Sequence, residues 1–313
     1  MADVLLVTGA AGFIGRHLCA ELIRRDHEVI ALDNDGDRLG SLDIADHGTK
    51  RLCDIRSAES VDSVAKSLRT VRIPTLLHMA ALAAPRACEK QPDIAWATNV
   101  QGTYNVLRLA QTAGIRRVVF FSTAHVYGIS PKYFPTDENH PLSLQDTYTS
   151  TKIVGEALCD LFFRNYGISY TVLRLFNGYG PGQSEDYFIG AKIAQARTPL
   201  ALTPPWEPDV TKDWVHVTDI VDAVVRTLKT DFVGPINIGT GFETDLGKIV
   251  QMIGRWTGSP IGVAKFQPFE KGPTRMRCDW GRAQRILGWE PKVKFETGLY
   301  KMVVNESGKH SER

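Results

Sequence analysis

Short apolar runs alternate with stretches of helical period along most of the chain. Val4–Val7 and Val29–Leu32 are apolar runs with the length of buried β-strands. Between them Ile14, Leu18 and Leu22 recur at the i, i+4 and i+8 positions of an amphipathic helix. Strands and helices that alternate in this way predict an α/β fold with a doubly wound, mainly parallel sheet. Ligands of such sheets bind outside the carboxyl ends of the strands.

The first apolar run leads directly into Gly9, Gly12 and Gly15 at the start of the predicted helix. The three glycines suit a tight turn, the close approach of a pyrophosphate and the close packing of helix on strand. Their spacing departs from G-x-G-x-x-G, because the first two glycines lie three residues apart. However, Asp33 ends the second apolar run, where a carboxylate would bind an adenosine ribose. The pattern predicts a dinucleotide site, and a glycine turn with a solvated aspartate is the alternative.

Length and a loss of regularity after residue 176 predict two units. A single core rarely grows beyond about 250–300 residues, and this chain has 313. We predict a Rossmann-like dinucleotide-binding domain over residues 1–176, with part of 211–240 returning to it. Residues 177–210 and 241–305 form a smaller C-terminal substrate-binding lobe, in which Trp206 is a candidate substrate lid. Residues 306–313 form a frayed tail.

Composition excludes several classes of protein. A net charge of +2 and 23% charged residues give no basic excess, so we expect no nucleic-acid partner. The five cysteines are scattered and form no C-x-x-C pair, which favours reduced thiols in a cytoplasmic protein without a metal site. The sequence has no apolar run near the ~20 residues of a membrane helix, and we expect no signal peptide and no membrane association.

Tyr148 and Lys152 lie four residues apart, on one face of a predicted helix. A nearby ammonium stabilises a phenolate, so we expect Lys152 to lower the Tyr148 pKa from about 10 and make it a general base. The preceding predicted strand ends in Ser122 and Thr123, and the Thr123 hydroxyl would share a substrate proton with Tyr148. The spacing alone also occurs in surface helix pairs, but its place after the fifth strand favours the catalytic interpretation.

Motifs in one order along nearly the whole chain resemble the extended short-chain dehydrogenases/reductases, in particular the NAD-dependent epimerase/dehydratase family that acts on nucleotide sugars. In the first half the matching stretches are residues 8–15, 33–34, 54–55, 78–81, 99–103, 122–128 and 148–152. In the second half they are residues 173–177, 179–183, 213–217, 237–241 and 287–291. The catalytic residues that this resemblance implies are Tyr148, Lys152 and Thr123.

The resemblance implies NAD as the cofactor. In similar proteins the glycine turn holds the pyrophosphate, the second strand the ribose, and the third strand the adenine, while the lysine of the helix binds the nicotinamide ribose. The residues that this implies for the cofactor are Gly9, Gly12, Phe13, Ile14, Gly15, Asp33, Asn34, Asp54, Ile55, Ala80, Ala81, Asn99, Ser122, Tyr148 and Lys152.

The resemblance also implies a nucleotide-diphosphate sugar as substrate, with candidate contacts at His125, Asn177, Leu200, Leu202, Lys212 and Arg275. Lys212 stands where similar enzymes usually carry an arginine, and a lysine cannot bind a diphosphate bidentately. Arg275 or Arg277 is therefore expected to share that role. For His125, a packed or solvated side chain is the equal alternative to a substrate contact, and His78 is expected to be structural.

We predict an NAD-dependent nucleotide-sugar epimerase that acts at C4 through a transient 4-keto intermediate, as UDP-glucose 4-epimerases do. Similar dehydratases carry an Asp-Glu pair, and similar decarboxylases a glutamate, where this chain has Ala124 and His125, so neither elimination nor decarboxylation is expected. An NAD(P)-dependent nucleotide 4-keto-sugar reductase is the alternative. A catalytically silent nucleotide-binding regulator is a third possibility, which the intact catalytic residues disfavour. Similar enzymes commonly dimerise through helices that begin near Gln101 and Tyr148, so a homodimer is expected.

Overall fold

The computed structural model describes residues 3–44, 47–204, 210–263 and 274–308. Trp206 and residues 309–313 of the predicted tail lie outside the described residues. Residues 306–308, which were also predicted to be frayed, continue the last helix. No helix in the described part of the chain is long and apolar enough to cross a membrane.

Seven parallel strands form the central sheet, in the order β3-β2-β1-β4-β5-β6-β9. A second sheet has the order β10-β8-β7. The strands are Val4–Thr8 (β1), Glu28–Asp33 (β2), Gly48–Leu52 (β3), Thr75–His78 (β4), Arg117–Thr123 (β5), Ser169–Leu175 (β6), Asn177–Tyr179 (β7), Thr211–His216 (β8), Gly234–Ile238 (β9) and Glu243–Asp245 (β10). The order reverses between β1 and β4, which opens a crevice at the carboxyl ends of these strands. The predicted doubly wound α/β fold is confirmed.

Helices flank both faces of the central sheet and build the smaller lobe. They are Phe13–Arg24 (α1), Gly36–Gly40 (α2), Ala58–Ser67 (α3), Pro85–Lys90 (α4), Pro92–Trp96 (α5), Gly102–Thr112 (α6), Thr147–Tyr166 (α7), Phe188–Ala196 (α8), Val217–Thr227 (α9), Leu246–Thr257 (α10), Gly281–Leu287 (α11) and Phe295–Gly308 (α12). The pattern after Pro92 predicts one long helix that Gly114 ends, and the chain is helical from Pro92 to Thr112. A π-helical segment, Ala97–Gln101, separates α5 from α6, and such insertions often accompany functional sites.

Alternate residues of each central strand enter opposite apolar layers. Leu5 and Val7 pack in the layer of α1 and α9, whereas Leu6 packs in the layer of α3 and α6. Burial on both faces explains why these strands are continuous apolar runs rather than alternating sequences. It also leaves the loops at the strand ends as the places where polar side chains gather.

The smaller lobe consists of the second sheet with α8, α10 and α12 around buried residues such as Ile189, Ile249 and Leu299. Its predicted range, 241–305, includes one segment that packs elsewhere. Helix α11 and Trp289 lie in the core of the central sheet, and the Trp289 indole donates to Asp219 O at 3.0 Å. The division of the chain into two domains stays a prediction.

Candidate active site

The glycine turn is closely packed against the end of β4. Gly9 has a φ of +70°, and a Cβ on it would lie 2.7 Å from Ala80 N. A Cβ on Gly15 would lie 2.2 Å from Gly9 O, so α1 starts directly against the turn. Gly12 caps α1 without a side-chain hydrogen bond, and the first helical turn has no acidic residue. Its N–H groups are therefore suited to an anion such as a pyrophosphate.

Asp33 connects the end of β2 to the glycine turn. Its Oδ2 accepts a hydrogen bond from Ala11 N at 2.9 Å, and its Oδ1 accepts one from Asp35 N at 3.1 Å. The carboxylate is partly buried and stands beside the predicted pyrophosphate turn. This is the position required for a carboxylate that accepts hydrogen bonds from a ribose. Asn34 follows it in the same loop.

The two residues predicted near the adenine have different surroundings, since Asp54 forms an ion pair at the surface and Ile55 is buried. Asp54 forms an ion pair with Arg56 at 2.6 Å, and the hydrogen bond from Arg56 lowers the pKa of the Asp54 carboxyl. Ile55 is buried in the α3 and α6 layer. A Cβ on Gly102 would come within 2.7 Å of the Ile55 side chain, so Ile55 packs beneath the start of α6.

His78 has a structural role, as the sequence suggests. Its Nδ1 is 2.7 Å from Thr8 Oγ1 and its Nε2 is 3.0 Å from Thr103 Oγ1. Burial, with a smaller effect of the Lys152 charge, lowers the His78 pKa to about 3. The neutral ring therefore joins β1, β4 and α6 below the predicted cofactor site.

Asn99 shapes the site from the π-helical segment. Its Oδ1 accepts from Leu82 N at 2.8 Å, while its Nδ2 donates to Leu82 O and to Thr151 Oγ1, each at 3.0 Å. Both amide N–H groups are thus occupied. The side chain thereby holds the loop that carries Ala80 and Ala81 against α7, and the role of Asn99 in cofactor binding stays a prediction.

The three predicted catalytic side chains meet between β5 and α7. The Tyr148 side chain is buried and hydrogen-bonds with Thr123. Lys152 Nζ donates to Phe121 O at 2.8 Å. Burial lowers the Lys152 pKa to about 8, so the ammonium is present at neutral pH.

The expected lowering of the Tyr148 pKa is wrong for this structure. Burial, followed by the effect of Tyr187, raises the Tyr148 pKa above its usual value, and the hydrogen bond with Thr123 opposes the rise only in part. The physical reason is that the phenol has little solvent to stabilise its charge, while the ammonium of Lys152 is directed at a backbone carbonyl. A phenolate at this position needs additional positive charge from bound ligands.

His125 and Lys212 extend the site beyond the catalytic residues. The His125 backbone N donates to Thr123 Oγ1 at 3.2 Å, and its ring lies edge-on to the Tyr148 ring with 6.3 Å between centroids. Burial, followed by the Lys212 charge, lowers the His125 pKa to about 4. The structure therefore brings a neutral imidazole and a nearby ammonium to the predicted substrate side of Tyr148. Asn177 lies on the adjacent β7, where its Nδ2 donates to Asp213 O at 3.0 Å.

Three further predicted substrate residues differ in their surroundings. Leu200 is exposed, whereas Leu202 is fully buried in the core of the smaller lobe. The apolar core of the lobe takes the Leu202 side chain, and the role of this segment in substrate binding stays a prediction. Arg275 pairs with Glu243 at 2.5 Å and stacks on the Phe134 ring at 4.9 Å.

Ser122 contacts residues of α7 and β6 that sequence reasoning missed, and its own role in cofactor binding stays a prediction. The Ser122 hydroxyl donates to Glu156 Oε1 at 2.6 Å. Glu156 in turn pairs with Arg174 at 2.7 Å. The signal available in the sequence was the position of Glu156, four residues after Lys152 and hence on the same helix face.

The cofactor site fits a dinucleotide. The glycine turn leaves no room for side chains, the start of α1 has free N–H groups for a pyrophosphate, and Asp33 is positioned for a ribose. Among the described residues, no three His, Cys, Asp or Glu side chains form a group that could hold a metal ion. A parallel sheet with this turn, followed by a helix that carries Tyr148 and Lys152, defines an extended short-chain dehydrogenase/reductase.

Comparison with known proteins narrows the class to one family. The model of the NAD dependent epimerase/dehydratase family matches residues 5–239. The chain belongs to this family, and its cofactor is NAD. A UDP-glucuronic acid decarboxylase 6 of Arabidopsis thaliana is 32% identical over 303 residues, which cover 94% of this chain and 86% of that protein.

Two solved structures share the whole fold. The UDP-glucose 4-epimerase of Thermotoga maritima, solved with UDP-glucose, has a TM-score of 0.88 and 29% identity, with 99% of this chain and 100% of that chain covered. The UDP-glucuronic acid 4-epimerase of Bacillus cereus, solved with UDP-glucuronic acid and NAD, has a TM-score of 0.85 and 26% identity, with 97% and 99% covered.

Proposed function

We propose that this protein is a UDP-sugar 4-epimerase that uses a transient 4-keto intermediate. The observation that carries the proposal is the meeting of Thr123, Tyr148 and Lys152 at the carboxyl end of β5. The family supports the NAD-dependent chemistry, and the names of the similar structures support a UDP sugar.

Bound NAD supplies a hydride acceptor and, in the reverse step, a hydride donor. Tyr148, bridged by Thr123, takes the proton of the sugar 4-hydroxyl. It returns the proton after the keto sugar has rotated in the site and presents its opposite face. The Lys152 ammonium, which donates a hydrogen bond to Phe121 O on β5, supplies positive charge on the helix face that carries the phenol. The cationic ring of oxidised nicotinamide would supply the additional charge that the buried Tyr148 phenol requires.

Ala124 and His125 argue against loss of water or carbon dioxide. Ala124 is fully buried and offers no acid or base. His125 is held neutral at pH 7 by burial and by Lys212, which lower its pKa to about 4. Elimination needs an acid and a base beyond the tyrosine, and a single neutral imidazole does not provide both. The similarity to a decarboxylase makes this the point that an experiment must decide.

The decisive experiment incubates the enzyme with UDP-glucose, UDP-galactose, their N-acetyl and uronic acid forms, and dTDP-glucose. Mass spectrometry and NMR of the products distinguish the reactions, since epimerisation inverts C4 at constant mass. We expect a C4 epimer from at least one UDP sugar. Loss of water or carbon dioxide would overturn the assignment of Ala124 and His125. Net reduction of added NAD with release of a 4-keto sugar would identify a 4-keto-sugar reductase working in reverse.

We further propose that the protein is a homodimer that pairs through α6 and α7. The proposal is supported by apolar side chains exposed on these helices, namely Tyr104, Leu161, Phe163 and Tyr166. Light scattering on the purified protein should give twice the mass of the chain, and Tyr166→Arg should produce monomers. A monomeric wild type would contradict the proposal. A cytoplasmic location also stays a prediction.

A further inference from the structure

Three consecutive residues of β5 contact three residues on one face of α7. Phe121 O accepts from Lys152 Nζ at 2.8 Å, the Ser122 hydroxyl donates to Glu156 at 2.6 Å, and Thr123 hydrogen-bonds with Tyr148. The helix residues are spaced by four, so they lie one above another. Two of these three contacts involve the predicted catalytic residues. The third, through Glu156, connects the same strand and helix one turn further along.

Arg174 on β6 anchors Glu156. It donates to Glu156 through Nη2 at 2.7 Å and Nε at 3.1 Å, and the two side chains are only 6% and 11% exposed. A third donor of Arg174, Nη1, bonds the Tyr127 hydroxyl at 3.0 Å. That hydroxyl donates to Asn237 Oδ1 on β9 at 2.6 Å. The carboxylate is therefore held in a buried, hydrogen-bonded network that reaches three strands, unlike an exposed ion pair.

We propose that Glu156 is a positioning residue for the reaction: through the hydrogen bonds that it accepts from Ser122 and Arg174 it sets the register of α7 against β5, and with it the placement of Tyr148 and Lys152. The proposal rests on the proposed function, because it gives Tyr148 and Lys152 their catalytic roles. Both oxygens of the Glu156 carboxylate are engaged within the protein, by Ser122 and Arg174. Glu156 acts through Ser122 and through the helix that carries both catalytic side chains.

The Glu156 carboxylate, which is paired with Arg174, also acts on the charge of Lys152. Burial lowers the Lys152 pKa to about 8, while Cys88, Glu156 and Cys159 act in the opposite direction. The two cysteines are buried thiols whose pKa values are raised, to about 11 for Cys88, so they are uncharged at neutral pH. His78 on β4 is neutral as well. Glu156 is the only carboxylate in this set.

The test replaces Glu156 by glutamine, which keeps the shape and the acceptor for Ser122 but removes the charge. We expect kcat to fall about 10- to 100-fold, with little change in the substrate KM and in the NAD Kd. The basic limb of the pH profile should move to lower pH, because Lys152 loses its proton earlier. The matched control is Asp160→Asn on the next turn of α7, whose exposed partner is Arg164 at 2.7 Å. It should leave kcat unchanged.

A second measurement does not depend on turnover. The Lys152 pKa can be followed by NMR of protein labelled with ¹⁵Nζ-lysine, with the signal assigned from its absence in Lys152→Arg. Glu156→Gln should lower this pKa, because a negative charge near the ammonium is removed, and Asp160→Asn should not. If Glu156→Gln lowers only the melting temperature, with kcat, pH profile and Lys152 pKa as in wild type, Glu156 is merely structural and the proposal is overturned.

A milder variant is available if Glu156→Gln does not fold. Ser122→Ala removes one hydrogen bond and leaves the Glu156–Arg174 pair in place. We expect a several-fold loss of kcat with an unchanged Lys152 pKa, and an unchanged kcat would refute the positioning role. A wild type that turns over none of the sugars would refute the proposed function, while the NMR titration would still decide the role of the Glu156 charge.

Discussion

Gly15→Ala is the sharpest test of how the glycine turn works. A Cβ at this position would lie 2.2 Å from Gly9 O and 2.6 Å from Ala10 O. Both atoms belong to a turn backbone that is itself hydrogen-bonded, through Gly12 N to Gly9 O at 3.1 Å. Since unstrained carbon contacts begin near ~3.5 Å, α1 must move away by roughly 1 Å. Such overpacking typically costs about 1–3 kcal/mol, against a gain of about 0.5–1 kcal/mol for alanine in a helix.

The same displacement should weaken NAD binding. The N–H groups of α1 that face the pyrophosphate move with the helix, and loss of one hydrogen bond to a charged group costs about 1.5–3 kcal/mol. The NAD Kd should therefore rise by about 10- to 100-fold. Calorimetry measures the binding, and urea unfolding measures the stability.

Gly40→Ala provides the matched control. Gly40 ends α2, and a Cβ on it would have no atom within 4 Å. This variant should be as stable as wild type or slightly more stable, with an unchanged NAD Kd. If Gly15→Ala unfolds at the wild-type urea midpoint and binds NAD equally well, the close packing of α1 on the turn neither stabilises the fold nor positions the N–H groups for NAD.

Three further predictions concern catalysis, cofactor choice and acid stability. Tyr148→Phe should lower the turnover rate by a factor of about 10²–10⁴ with nearly normal NAD binding. Lys152→Ala should weaken both turnover and NAD binding. A near-normal rate of Tyr148→Phe on the true substrate would contradict the proposed mechanism. NAD should bind more tightly than NADP in calorimetry, because Asp33 would repel a 2′-phosphate, and equal or tighter NADP binding would contradict this role. Burial, and to a smaller extent Lys152, lower the His78 pKa from 6.5 to about 3, so the unfolded state binds more protons between these values. The stability that neutral His78 contributes is complete above pH 6.5 and is lost as the pH falls towards 3. His78→Gln should therefore lose unfolding free energy less steeply than wild type in this window, and an equal slope would count against the assignment.

The sequence by itself determined the features that depend on local geometry. The alternation of apolar runs and amphipathic stretches predicts the doubly wound sheet, because buried strands and surface helices differ in period. Ser57 is the N-cap of α3, as its place before the helical pattern predicts. The spacing of Tyr148 and Lys152 places both on one face of α7, because four residues make about one helical turn.

Only the tertiary structure decided which groups these side chains meet. Asn99 turned out to hold Leu82 and Thr151, and Leu202 entered the core of the smaller lobe. The Tyr148 pKa rises instead of falling because burial, which no spacing reveals, outweighs the hydrogen bond with Thr123.

The network around Glu156 shows the same limit most clearly. Tyr127 and Asn237, which belong to it, are 110 residues apart in the chain, so no local pattern connects them. Hydrogen bonds, burial and the resulting pKa values depend on contacts that form when distant segments pack together. Sequence period and spacing determine where a side chain stands on its own helix or strand, whereas the packing of those elements determines its partner and its charge.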